Sequence, residues 1–188
     1  MSYPIAELDR RLAAMIQLGT VDEVRPTRPP RCRVRVGDWV SPWVMWQSMA
    51  AGRVRSWRPP SLGEQAVLLC PSGDPAVGVA LVGFPSDQHD QSPDDDLDVT
   101  SDQWPDGARE SYNHETGQWL IELPAHARFV IRIGEAEFEL TAAGSSLTGA
   151  QHLVNGNQSV SGDQQVAGNI EAGGTIMDGA GNSNNHTH

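Results

Sequence analysis

Apolar residues change their spacing three times along the chain, and each change predicts a different element. Pro4 suits a first helical turn, and Ile5, Leu8, Leu12 and Met15 recur at helical spacing, so residues 4–17 are expected to form a helix that Gly19 ends. Its stripe is read as a cover for the domain's own core, with a docking surface for a partner as the alternative. Beyond Gly19 the spacing shortens to alternating segments at 20–24, 32–36, 44–46, 53–57, 66–70 and 76–83. In the second of these, Cys32, Val34 and Val36 share one face and Arg31, Arg33 and Arg35 the other, the pattern of a half-buried strand. Pro-rich and Gly-rich breaks separate the segments. Their spacing is that of a small barrel, for which the five-stranded oligonucleotide/oligosaccharide-binding (OB) fold is the leading candidate.

The third regime begins after an aspartate-rich stretch, residues 85–103, whose two prolines and few apolar residues predict a solvated linker. Asp94, Asp95, Asp96 and Asp98 lack the glycine and distal glutamate of a calcium-binding EF-hand loop. Strand character returns with Trp104-Pro105-Asp106-Gly107. Trp119, Ile121 and Leu123 alternate after a turn at 113–117; Phe129, Ile131 and Ile133 alternate next, and Phe138 and Leu140 follow a turn at Gly134. The apolar density then thins to Val154-Asn155-Gly156, Val160-Ser161-Gly162 and Val166-Ala167-Gly168, six residues apart, followed by Ile170 and Ile176. One apolar residue in six cannot offset backbone ordering at about 1 to 2 kcal/mol per residue. Three chains wound together could stack these side chains about a shared axis, so the repeat implies a trimer.

Composition sharpens this picture. With 19 Gly and 13 Pro among 188 residues, the chain is expected to be turn-rich and all-β apart from its first helix. Residues 1–60 carry ten Arg and five acids, whereas residues 61–188 carry three Arg and nineteen acids, so the two regions face different surroundings. A net charge of -11 with no Lys suits a polyanion-binding protein poorly. No apolar run approaches the roughly 20 residues of a membrane helix, and the N-terminus lacks a signal-peptide pattern, so synthesis in a cytoplasm is expected. Cys32 and Cys70 read as buried thiols without chemistry.

The chain closes on His186-Thr187-His188. In an extended backbone both imidazoles lie on one side, about 7 Å apart, and can converge on one metal ion. Two ligands leave a first-row transition metal unsaturated, and no His or Cys lies within thirty residues upstream. Three chains meeting on a threefold axis would provide six imidazoles, which fits an octahedron.

In the barrel, Arg31-Cys32-Arg33-Val34, the 43–46 segment, Ala51-Gly52-Arg53, Pro60-Ser61-Leu62-Gly63-Glu64-Gln65 and Val82-Gly83 resemble baseplate assembly protein V, the central spike of contractile-tailed phages and phage-tail-like bacteriocins. So do Pro105-Asp106-Gly107, Gly168-Asn169-Ile170-Glu171 and the terminal His186-Thr187-His188 in the distal part. The resemblance implies a homotrimer with an N-terminal helix and OB-fold domain (1–84), an acidic linker (85–103) and an intertwined triple-stranded β-helix (104–188) ending in a pointed apex. It also implies one iron ion per trimer, held by His186 and His188 of each chain. Many relatives continue past this motif, so the apex here is expected to be fully exposed or completed by a separate tip protein. Calcium and chloride ions inside the spike, known in the family, have no recognisable motif here.

The expected role is mechanical: a spike below the tail tube, attached to hub and baseplate proteins through its N-terminal domain and driven through a target's outer membrane. It is made in the host cytoplasm and carried in the virion or bacteriocin particle. No P-loop, Gly-x-Ser-x-Gly elbow or His-Glu-x-x-His occurs, so no enzyme is expected. The main alternative is a nucleic-acid-binding barrel, its Arg face pairing phosphates and Trp39, Trp43, Trp46 and Trp57 stacking bases. In the scaffold reading preferred here, the Trp residues fill the core or an interface and the Arg residues pair with acids of a neighbouring subunit. A metal-dependent hydrolase at the terminal His pair would need an open coordination position, and six His ligands leave none.

Overall fold

The computed structural model describes residues 3–89 and 93–174, in two compact units, Met1–Glu122 and Leu123–His188. In the first unit, helix α1 (Tyr3–Ala14) leads into strand β1 (Ile16–Arg25), followed by β2 (Arg31–Val36), β3 (Trp39–Val40), β4 (Met45–Trp46), β5 (Gln65–Leu69) and β6 (Val79–Phe84). β1 pairs antiparallel with β2 on one side and β5 on the other, β5 pairs with β6, and β6 runs parallel to β4. Reciprocal backbone bonds between Cys32 and Val44, at 2.9 and 3.0 Å, then tie the β4 segment back to β2. The ring therefore closes as β1-β2-β4-β6-β5-β1. This is the five-stranded barrel expected, and its closure leaves no unpaired edge around the ring.

Alternation fills the barrel. Val21, Cys32, Val34, Val44, Trp46, Ala66, Leu68, Cys70 and Ala80 form its buried core, with Val24, Val36 and Val82 packed against it. Each large member contributes about 1.5 to 3 kcal/mol by leaving water. Among the described residues Ser41 is the buried polar side chain, and it is satisfied: its hydroxyl accepts from Val34 N at 2.9 Å and donates to Pro42 O at 2.8 Å. Both cysteines are buried free thiols, and burial pushes Cys32 up to about 11 and Cys70 upward as well.

Three expectations for the helix and the barrel need correction. The helix stops at Ala14, and Gly19 lies inside β1, where a Cβ would sit 2.3 Å from Arg35 O; its bare backbone serves strand crossing, not helix termination. The α1 stripe does not cover the core, because Ile5, Leu8 and Leu12 are exposed. Residues 53–57 form no strand; they belong to the long loop between β4 and β5, where a bridge between Ala51 and Arg55 and hydrogen bonds of Ser56 with Ala50 and Ser48 tie them down. Val54 and Trp57 are exposed there.

Residues 99–103, expected in the linker, form strand β7 (Val99–Gln103), which pairs with β8 (Arg109–Asn113) and through it with β9 (Gln118–Glu122). Trp104-Pro105-Asp106-Gly107 is the hairpin turn between β7 and β8, with Gly107 at a φ of 90° and its N–H donating to Trp104 O at 3.0 Å. In the second unit β10 (Arg128–Ile133), β11 (Ala136–Thr141) and β12 (Gly144–Thr148) form a three-stranded antiparallel sheet. From 149 to 174 the described chain has neither helix nor strand. No described helix is long and apolar enough to cross a membrane.

Candidate functional site

The arginine face of β2 is engaged within its own chain. Arg31 donates to Trp43 O at 3.0 Å; Arg33 donates to Ser41 O at 2.9 Å and pairs with Glu23 at 2.8 Å; Arg35 pairs with Asp22 at 2.6 Å. Consecutive acids serve one strand face because β1 slips register between Val21 and Glu23, leaving Asp22 as the extra residue of a bulge. The expected partners, acids of a neighbouring subunit, are thus replaced by acids of the adjacent strand. Trp43 lies under the guanidinium of Arg25 at 4.0 Å, with that of Arg33 at 5.7 Å, and is held as a cation–π platform.

The Pro60-to-Gln65 motif has a local physical role. Gly63 turns the chain at a φ of 81°, and Glu64 then uses both carboxylate oxygens: one accepts from Ser61 N and the other from Gly83 N, each at 2.7 Å. Backbone bonds between Val21 and residues 63 and 64, each 2.8 Å, complete the knot. The motif fastens the loop before β5 to both β1 and β6.

Beyond the barrel, ion pairs anchor the acidic stretch. Asp94 accepts from the Ser101 hydroxyl and from Arg109 Nη2, and these bonds hold its carboxyl below the ordinary 3.8. Asp98 lies 3.1 Å from His114 Nε2. Arg58, in the β4–β5 loop, grips Asp102 of β7 with two bonds of 2.9 and 2.7 Å, which lower the Asp102 pKa. That pairing spans 44 positions of sequence, and nothing in the sequence pattern signals it.

The distal sheets carry the most open apolar surface. In the β10–β12 sheet, register places Ile131 opposite Phe138, Phe129 opposite Leu140 and Phe138 opposite Leu147, so these side chains share one face. The other face carries the ion pairs Arg128–Glu139 and Arg132–Glu137. Ile131, Ile133, Leu140 and Leu147 are exposed, as are Trp119, Leu120 and Ile121 of β9. Val154, Val160, Val166 and Ile170 of the repeats are exposed too. None of residues 123–174 is buried. An open apolar face of this kind is the type of surface that marks an interaction site.

The expected metal ligands, His186 and His188, lie outside the described residues, as does Ile176. Among the described residues no group of three or more His, Cys, Asp or Glu side chains converges.

The barrel is closed through a parallel β4–β6 pair and locked by the Gly63–Glu64 knot. Residues 17–84 match the family described as the type VI secretion system/phage-baseplate injector OB domain. The chain is also 35% identical over 117 residues to the spike protein of Escherichia phage P2, an alignment covering 62% of this chain and 54% of that protein. The resemblance to phage baseplate assembly protein V read from the sequence is borne out by both findings. The aligned stretch spans about half the length of that relative.

Proposed function

We propose that the chain is the central spike of a contractile tail: a homotrimer whose barrels sit at the hub and baseplate and whose distal part winds into a triple-stranded β-helix. Its role is mechanical and non-enzymatic, and sheath contraction drives it through the outer membrane of a target cell. It is carried as a tail component of the virion or of a bacteriocin particle, after synthesis in the host cytoplasm. The observation that carries this reading is the uncovered apolar face of the β10–β12 sheet, continued by the six-residue Val repeat. Three copies around one axis would cover both at once, and each exposed strand would find a neighbouring chain to pair with. Likeness to the phage P2 spike protein supports the same role.

At the distal end, His186 and His188 of each chain would hold one iron ion per trimer. The donor chemistry fits, since neutral imidazole suits first-row transition metals. The ion would cross-link three chain ends at the place where they would otherwise fray. A separate tip protein could extend the apex. The nucleic-acid alternative loses its main support, because Arg31, Arg33 and Arg35 are all bonded to acceptors of their own chain.

Light scattering on the purified chain tests the architecture. Three times the 20.3 kDa chain, about 61 kDa, is expected at micromolar concentration. A monomer or dimer would refute it.

A further inference from the structure

The first unit has a cleft of about 730 Å³ between the 26–30 loop and the long β4–β5 loop. Met45, Trp46 and Trp57 form its apolar floor, and the two indoles meet with centroids 5.6 Å apart and planes at 54°. Arg28 and Arg55 stand at its rim. Unlike Arg31, Arg33, Arg35 and Arg58, these two make no hydrogen bond or ion pair with any described residue. An apolar floor under two unpaired cations fits a peptide that carries one apolar side chain flanked by carboxylates.

This chain contains such a peptide. In Asp95-Asp96-Leu97-Asp98, Leu97 is 97% exposed, more than any other large apolar side chain described. The segment is nonetheless fixed on both sides. Asp94 is bonded to Arg109 and Ser101, and Asp98 accepts from His114 N at 3.0 Å through its carbonyl while its carboxylate faces the imidazole. A leucine held out from an anchored loop is pre-organised as a plug, so seating it costs little further ordering. Between the anchors, Asp95 has no partner among the described residues.

We infer that Leu97 of one chain seats against Trp46 and Trp57 of a second copy, with Asp95 and Asp96 facing that copy's Arg28 and Arg55. The inference rests on the trimeric reading above and adds to it the residues by which neighbouring first units are latched. Each chain gives one plug and accepts one, so the contact is heterologous, and three such contacts close a ring.

Disulfide trapping in the full-length chain tests it. The double variant Leu97→Cys with Met45→Cys is oxidised in solution and run without reductant, and the single variants serve as controls. The buried Cys32 and Cys70 leave the background low. Covalent trimers in the double variant alone are the expected result. An intramolecular disulfide would show that the loop folds onto its own cleft, and an uncross-linked protein that still scatters as a trimer would show that the latch does not exist; either overturns the inference while leaving the trimer standing. A protein that scatters as a monomer removes the trimer, and the latch with it. In a second arm, Arg55→Glu should slow cross-linking about tenfold and adding Asp96→Arg should restore most of the rate, as expected of an ion pair at the rim. An unchanged rate in Arg55→Glu would overturn the charge pairing assigned here.

Discussion

Gly19 gives the most direct test of how the barrel is built. It pairs with Ala66 of β5 on one side, and on the other it lies against β2, where an added Cβ would meet Arg35 O at 2.3 Å, Val34 Cγ1 at 2.8 Å and Val36 Cγ2 at 3.0 Å. Ordinary carbon–oxygen contacts begin near 3.3 Å, so Gly19→Ala intrudes by about 1 Å on a backbone atom that is fixed in a ladder. Overpacking of this kind costs about 1 to 3 kcal/mol or more, offset by roughly 0.4 to 1 kcal/mol from the stiffer unfolded chain. A net loss of about 2 kcal/mol is expected, which is roughly 30-fold in the opening equilibrium. Two other glycines calibrate it. Gly37→Ala meets nothing within 4 Å but must hold a φ of 58°, for about 1 to 2 kcal/mol. Gly52→Ala meets nothing and needs no positive φ, so it should stay within about 0.5 kcal/mol. Hydrogen exchange of peptides covering β1 and β2 reads all three in the intact protein. If Gly19→Ala exchanged like Gly52→Ala, the close crossing of β1 over β2 would be wrong.

Three further outcomes are expected. Ile131→Asp should abolish the trimer in light scattering, because the face it shares with Phe138 would have to bury a carboxylate at a cost of several kcal/mol, whereas Arg132→Ala on the opposite face should cost under about 1 kcal/mol; a trimer unaffected by Ile131→Asp would mean that this face stays in water. The Arg58–Asp102 pair lowers the Asp102 pKa below 3.8, so its contribution, about 0 to 1 kcal/mol for so exposed a pair, is complete above that value and vanishes as the pH falls through the lowered one; Asp102→Asn should flatten that part of the acid stability curve, and an unchanged curve would count against the pair. Replacing both His186 and His188 by Ala should remove one metal ion per three chains, read by elemental analysis, and leave the trimer assembled; one ion per chain, or unchanged content, would refute the shared site.

The sequence disclosed the barrel because its strands are half-buried, and half-burial writes itself as alternation: Cys32 and Val34 inside, Arg31 and Arg33 outside. Where that physical cause is missing, the signal is missing too. β7, β8 and β12 are made of residues such as Thr100, Ser101, Glu110, Ser111, Ser145 and Ser146, held by backbone ladders and cross-strand pairs, so no apolar period announces them. Gly19 read as a helix stop because a glycine between a helical and an alternating pattern looks the same whether it ends a helix or permits a crossing. Only the position of Arg35 O separates the two. The partners of the arginine face depend on a bulge at Asp22, and a one-residue slip in register leaves no trace in composition.

The distribution of burial along the chain bears on how such a spike would assemble. In the barrel nine side chains are buried within one chain, so the barrel can gain most of its stability before it meets a partner. From Leu123 to Gly174 no residue is buried, and the Val repeats offer one apolar side chain in six. A single chain gains almost nothing there to offset its backbone entropy, so in the proposed trimer folding and association of the shaft have to be one event. Latched barrels would raise the effective concentration of the three distal segments and let winding begin beside them, a sequence in which the open β10–β12 face is covered early and the sparse repeats last. The same asymmetry would give the proposed metal at the end of the chain a role. Where winding of the proposed shaft would finish last, a coordinated ion would contribute stability that one apolar side chain in six cannot.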